Sequence, residues 1–131
     1  MHNPARPLSP HLQVYRWQVQ MVTSILHRAT GVVLSAGSLL IAYGLIALAS
    51  GEASWNDLRT CAGSWFGLLV LIGWSWALSF HLINGIRHLL QDAGWGYAIE
   101  AVVRNSWISV IGSLLLTVAI WAMVFTRGGF A

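Results

Sequence analysis

Three long stretches of the chain carry no Asp, Glu, Lys or Arg. They cover residues 29–51, 60–86 and 105–126, which is 23, 27 and 22 positions. About 20 predominantly apolar residues cross a hydrocarbon core of about 30 Å as a helix, and a helix satisfies its own backbone polar groups there. The pattern predicts an all-α, integral membrane fold of three transmembrane helices, at about 24–50, 61–90 and 105–126. Residues 51–60 are left as a short polar loop. Little of the 131-residue chain remains, so residues 1–131 are expected to form a single transmembrane domain. The polar segment 1–20, "MHNPARPLSPHLQVYRWQVQ", has prolines and no apolar run, which excludes a signal peptide. It is expected to be extended to about Pro10, then interfacial, with Tyr15 and Trp17 at headgroup level.

Composition sharpens this picture. Only 8% of residues are charged and 56% are hydrophobic, against about 25% charged in an ordinary soluble domain. The sequence pI of about 9.8 comes from seven arginines and no lysine. These arginines stand singly at the ends of apolar stretches rather than in a patch, which argues for membrane anchoring and against nucleic acid. Arg6, Arg16 and Arg28 precede the first crossing, and Arg87 and Arg104 flank the second connection. Arg59 and Arg127 lie on the other side. The positive-inside rule then puts the N-terminus and the 87–104 connection in the cytoplasm, and the C-terminus outside. Most of the tryptophans fall near span ends as anchors, while Trp74 and Trp76 are mid-span and expected to pack. Cys61 is alone, so no disulfide forms within the chain.

With this topology, "SILHRATG" at 24–31 and "HLINGIRH" at 81–88 meet at one face of the membrane. Ser24, His27, Arg28, His81, Asn84, Arg87, His88 and Asp92 share that leaflet. His81 lies about 9 Å deeper than Arg87 at 1.5 Å per residue, and an ionisable group at such depth marks function by default. The plainer alternative is an interhelical hydrogen bond. Gly73, Ala77, His81, Gly85 and His88 fall on one side of the helix, so small residues leave a shallow groove beside the imidazole. A flat macrocycle such as haem b needs an axial imidazole, a slot without bulk, and cations for its propionates. Arg87, Arg28, His27 and His88 are the candidate cations. His88 is too far along the same helix to bind the opposite face of one iron, so three helices with one deep histidine read as half of a haem site. A second membrane subunit would complete it. A zinc centre would want three or four converging ligands. His2 and His11 are read as solvated. Ser24 and Arg28, spaced i, i+4, suit a quinone carbonyl, although a helix cap and a snorkelling cation account for the spacing more simply.

The segments "RPLSPHLQVYR" at 6–16, "SILHRATG" at 24–31 and "HLINGIRHLLQDAG" at 81–94 together resemble the cytochrome b large membrane-anchor subunit of succinate dehydrogenase (complex II). Gln91 departs from the apolar residue common there. The resemblance implies a non-catalytic subunit of a succinate:quinone oxidoreductase, whose flavoprotein subunit oxidises succinate and whose iron–sulfur subunit relays electrons. It implies haem b, shared with a second small membrane-anchor subunit, and ubiquinone as substrate. His81 would be the axial haem ligand, His27, Arg28 and His88 the surroundings of the propionates, and Ser24 and Arg28 part of the quinone pocket. The membrane would be the bacterial cytoplasmic (inner) membrane, or the mitochondrial inner membrane in a eukaryote. The alternatives are a quinol-fumarate reductase anchor, running the couple in reverse, and a non-redox scaffold or proton-conducting subunit.

Overall fold

A computed structural model of the chain describes residues 16–128. The expectations for Arg6, Tyr15, His2 and His11 concern residues outside that range. Four helices follow one another: α1 (Val19–Ser50), α2 (Glu52–Gly63), α3 (Trp65–Asp92) and α4 (Ile99–Thr126). Helices α1, α3 and α4 are long and apolar enough to cross a membrane, so the protein is a multi-pass membrane protein.

The segment expected as a polar loop, 51–60, is helical instead. Gly51, at φ 114°, breaks α1, and α2 starts immediately after it with Glu52 in its first turn. A carboxylate there favours the positive end of the helix dipole. Leu58 of α2 packs towards Gly44 of α1. The second crossing begins at Trp65 rather than at Cys61, because Ser64 turns extended and caps α3 by accepting a hydrogen bond from the Gly67 amide at 3.1 Å. A side chain at Gly67 would run into the Cys61 and Ala62 carbonyls, so this tight corner requires glycine. The other long helices begin earlier than the charge gaps suggest, at Val19 and Ile99. Charged residues Glu100 and Arg104 lie within the first turns of α4 rather than ahead of it.

Contacts fix the relative directions. Thr23, Thr30 and Gly37 of α1 meet Arg87, His81 and Trp74 of α3 in that order, and Ser106 and Gly112 of α4 meet Arg87 and Ile83. Each pairing runs antiparallel, so the start of α1, the end of α3 and the start of α4 gather at one end of the bundle. Trp74 packs against Gly37, where an added Cβ would clash with the pyrrole part of the indole. Mid-span Trp76 stacks near Phe80, with ring centroids 5.8 Å apart.

The packing is the reverse of a water-soluble domain. Among the described residues only Ala47, Ala77, Phe80 and Trp121 are buried apolar side chains, whereas nine buried residues are polar or charged, most of them Ser or Thr. Lipid gives no hydrophobic drive between helices, so small side chains and hydrogen bonds hold the interface. Helix α4 shows this best. Ser106, Ser109, Ser113 and Thr117 line one stripe against the bundle, each hydroxyl returning to a carbonyl three or four residues back. Their small size lets α4 approach α3 closely.

Candidate functional site

The polar end of the bundle centres on His81. Its Nδ1 lies 3.2 Å from the backbone oxygen of His27 and 3.2 Å from Thr30 Oγ1. A carbonyl oxygen can only accept, and the Thr30 hydroxyl already donates to that same oxygen at 3.0 Å. Both neighbours of Nδ1 are therefore acceptors, and Nδ1 carries the proton. In the neutral imidazole this leaves Nε2 as the nitrogen with a lone pair. Metal-bound histidines are held in the same way, the second ring nitrogen donating to a carbonyl or hydroxyl. Thr30, 3% exposed, was not singled out from the sequence. Its signal was present: Thr23, His27 and Thr30 recur at i, i+4 and i+7 and form the face of α1 that meets α3.

His27 stacks on His81 with centroids 4.0 Å apart and planes 11° apart. His88 leans against His27 at 5.1 Å, tilted by 48°. Stacked rings project their lone pairs side by side rather than to a common point. Accordingly, no group of three or more His, Cys, Asp or Glu side chains among the described residues is arranged to hold a metal ion. His27 Nδ1 is buried with no hydrogen-bond partner. A buried imidazole nitrogen left unpaired is costly, and a group outside the described residues would complete it.

Space beside His81 is shaped by small residues. An added Cβ at Gly31 would sit 3.2 Å from His81 Cε1, and one at Gly85 would sit 3.7 Å from His27 Cε1. Towards the far end of the bundle, an open apolar groove of about 560 Å³ runs between α1 and α3, lined by Thr30, Val33, Gly37, Gly73, Trp74 and Ala77 among others. Gly73 has nothing within 4 Å of its Cβ position. The small-residue side of α3 thus opens onto a slot bordered by Thr30, one of the two acceptors of His81 Nδ1. The features that would suit a haem edge are one imidazole whose Nε2 makes no hydrogen bond among the described residues, the small residues Gly31, Gly73, Ala77 and Gly85 along its side of the bundle, and an unpaired ring nitrogen at the polar end, while Trp74 and Trp76 add bulk farther along the groove.

Arg87 departs from its expected place as an interfacial cation. Only 8% exposed, it turns into the bundle, where Nη1 donates to Thr23 Oγ1 at 3.1 Å and to Ser106 Oγ at 2.7 Å. At 100° per residue, six residues separate Arg87 from His81 by about 120° around α3. The two groups serve different faces. Asn84, fully buried between them, has neither amide oxygen nor nitrogen hydrogen-bonded.

Ser24 is half-buried and Arg28 is exposed on the neighbouring flank of α1. The helix starts at Val19 with Gln18 at its N-cap position, so Ser24 lies in the second turn and does not cap it. That removes the simpler account of its position. Neither side chain makes a hydrogen bond or ion pair with another described residue, which leaves both free for an outside group.

Residues 2–120 match the succinate dehydrogenase/fumarate reductase transmembrane subunit family. This chain belongs to that family. As a cytochrome b membrane-anchor homologue, it is 43% identical over 113 residues to the succinate dehydrogenase cytochrome b556 subunit of Paracoccus denitrificans, covering 86% of this chain and 87% of that one. Identity to the corresponding subunit of Rickettsia felis is 40% over 116 residues, covering 88% and 90%. With the mitochondrial cytochrome b560 subunit of Homo sapiens it is 33% over 120 residues, covering 90% of this chain and 71% of the human one. The homology supports an anchor subunit of a succinate:quinone oxidoreductase-type complex.

Proposed function

We propose that this anchor subunit binds haem b jointly with a second small membrane subunit and helps form the site where ubiquinone is reduced. Electrons would arrive from succinate through a flavoprotein and an iron–sulfur subunit. The observation that carries the reading is the hydrogen bonding of His81. Its Nδ1–H is held by the His27 carbonyl and Thr30, which presents Nε2 as a ligand. His81 would hold the haem iron from this chain, and a second ligand would come from the partner. His27 and His88, with exposed Arg28, stand at the polar end where propionates would lie. Bound there, the haem would supply reversible one-electron storage.

Ser24 and Arg28 act on the quinone. The hydroxyl donates to a carbonyl, and the guanidinium stabilises negative charge as the ring is reduced. The arginine distribution supports this end of the bundle facing the cytoplasm, the side on which soluble subunits would dock. The succinate dehydrogenase names of the relatives support succinate oxidation as the direction.

The test is a reduced-minus-oxidised spectrum of the assembled complex. His81→Leu should abolish or strongly alter the b-type α-band, whereas His2→Leu and His11→Leu should leave it unchanged. An unchanged band and midpoint potential in assembled His81→Leu would place the ligand elsewhere. Absence of any b-type band from the wild-type complex would leave the non-redox scaffold as the better reading.

A further inference from the structure

A second polar site lies about 120° around α3 from His81. The turn between α3 and α4 is built by a Schellman arrangement: the Gly94 amide donates to the Gln91 carbonyl at 2.8 Å and the Trp95 amide to the Leu90 carbonyl at 2.9 Å, with Gly94 at φ 87°. This folds Trp95 back over Leu90. Beneath it is a groove of about 300 Å³ whose lining includes Arg87, Leu90, Trp95, Gly96, Arg104 and Asn105. Two of these are guanidinium groups and none is an acid.

Arg87 is only 8% exposed, yet it faces no counter-charge among the described residues. The hydroxyls that accept from Nη1 are neutral and give their own protons to the Gln20 and Val102 carbonyls. Its Nε is buried with no acceptor. Arg104 has no carboxylate partner among the described residues. Glu100, one turn earlier on α4, is exposed and makes no ion pair with it. A buried cation without an anion is poorly tolerated inside a membrane protein, so an outside anion is called for. The groove's lining comes from α3, the turn after it and α4 and includes none of the imidazoles.

We propose that this groove binds the phosphate of an anionic phospholipid. The groove sits at the ends of two adjacent membrane-crossing helices. Trp95 and Tyr97, 73% and 65% exposed, mark headgroup depth. Exposed Leu89, Leu90 and Ile99 offer apolar surface for the acyl chains below it. Its volume suits a headgroup, lying at the small end of ligand pockets, which run from about 300 to 1,000 Å³. Basic pockets between transmembrane helices recognise anionic headgroups in this way. Arg104 would hold the phosphate from the open side and Arg87 from the buried side. Asn105, whose amide nitrogen lies 3.3 Å from the Cβ position of Gly96, would be a further donor, and a larger residue at position 96 would crowd it.

The test uses the assembled complex, delipidated in neutral detergent. Dioleoyl phosphatidylglycerol, dioleoyl phosphatidylcholine and inorganic phosphate are compared as probes by thermal shift and by native mass spectrometry. Phosphatidylglycerol should raise Tm and remain bound, while the other two do neither. Arg104→Gln should weaken phosphatidylglycerol binding by on the order of tenfold or more, as expected for a charge-assisted contact. Arg104→Lys should retain most of it, and Arg127→Gln, at the far end, all of it. Equal responses to the two lipids would overturn the proposal, as would a shift reproduced by inorganic phosphate alone. So would an unaltered response in Arg104→Gln, or dissociation of a soluble subunit from that variant at wild-type lipid occupancy, which would assign the groove to a protein carboxylate. Should Arg104→Gln fail to assemble, Asn105→Leu gives the second reading of the same contact.

Discussion

Replacing Thr30 by Val should raise the midpoint potential of the haem by roughly 20–60 mV. The substitution keeps the branched shape of a residue that is only 3% exposed and removes its hydroxyl. Two hydrogen bonds disappear: the 3.0 Å donation to the His27 carbonyl and the 3.2 Å acceptance from His81 Nδ1. The second matters for redox chemistry. An acceptor on Nδ1–H makes the imidazole a stronger donor through Nε2, which favours the ferric state. Losing it favours the ferrous state, so the potential moves up. A neutral hydrogen bond contributes about 0.5–1.5 kcal/mol net. With about 59 mV for each tenfold, or 1.4 kcal/mol, in a one-electron couple, that is roughly 20–60 mV. The lower half of this range is expected, because 3.2 Å is at the long end for such bonds and the His27 carbonyl still accepts at 3.2 Å. Potentiometric titration of the α-band in the purified complex measures the shift, with Thr30→Ser as control. Serine retains the hydroxyl and should stay within about 10 mV of wild type on the same reasoning. If Thr30→Val retains haem at wild-type potential, or if Ser and Val shift equally, the hydrogen bond to Nδ1 does not orient the ligand and the argument for His81 loses its main support.

Ser24→Ala and Arg28→Leu should lower succinate–quinone reductase activity by about 10- to 150-fold, the worth of a charge-assisted hydrogen bond of about 1.5–3 kcal/mol. Succinate oxidation by an artificial acceptor of the soluble subunits should survive in both, and equal loss of the two activities would indicate failed assembly instead. Gly37→Leu should disrupt the α1–α3 contact, because its side chain would enter the Trp74 indole; the yield of assembled complex in mild detergent reads this, and wild-type yield would contradict it. Gly67→Ala should lower Tm by several degrees through the clash with the Cys61 and Ala62 carbonyls, while Gly73→Ala, with open space around it, should leave Tm unchanged unless haem fills that space. Cysteines introduced at positions 95 and 100 should resist membrane-impermeant reagents in intact cells, and labelling there would reverse the orientation.

The charge gaps in the sequence revealed three crossings because excluding charge from hydrocarbon is the strongest constraint on such a chain. They missed α2, whose 12 residues are too polar to register as a span and bury no residue. The gap after Arg59 also hid the break at Ser64, since a cap and a glycine corner involve no charge. At the site, the histidines stood out by their rarity. Thr23, Thr30 and Ser106 did not, because hydroxyl residues are ordinary at helix contacts in membranes. Their roles emerge only when the partners are known: Thr30 as an acceptor for His81, Thr23 and Ser106 as acceptors for Arg87.

Arg87 shows why helix position alone misassigns a charge. Its place near the end of α3 suggests a side chain reaching the headgroups, yet residue 87 shares the α3 stripe of Ala77, Phe80 and Asn84 that packs into the bundle. Direction around the helix, not depth along it, separates its chemistry from that of His81. The polar end therefore has an imidazole side, where His81 meets His27 and Thr30 of α1, and a cationic side, where Arg87 bridges Thr23 of α1 and Ser106 of α4.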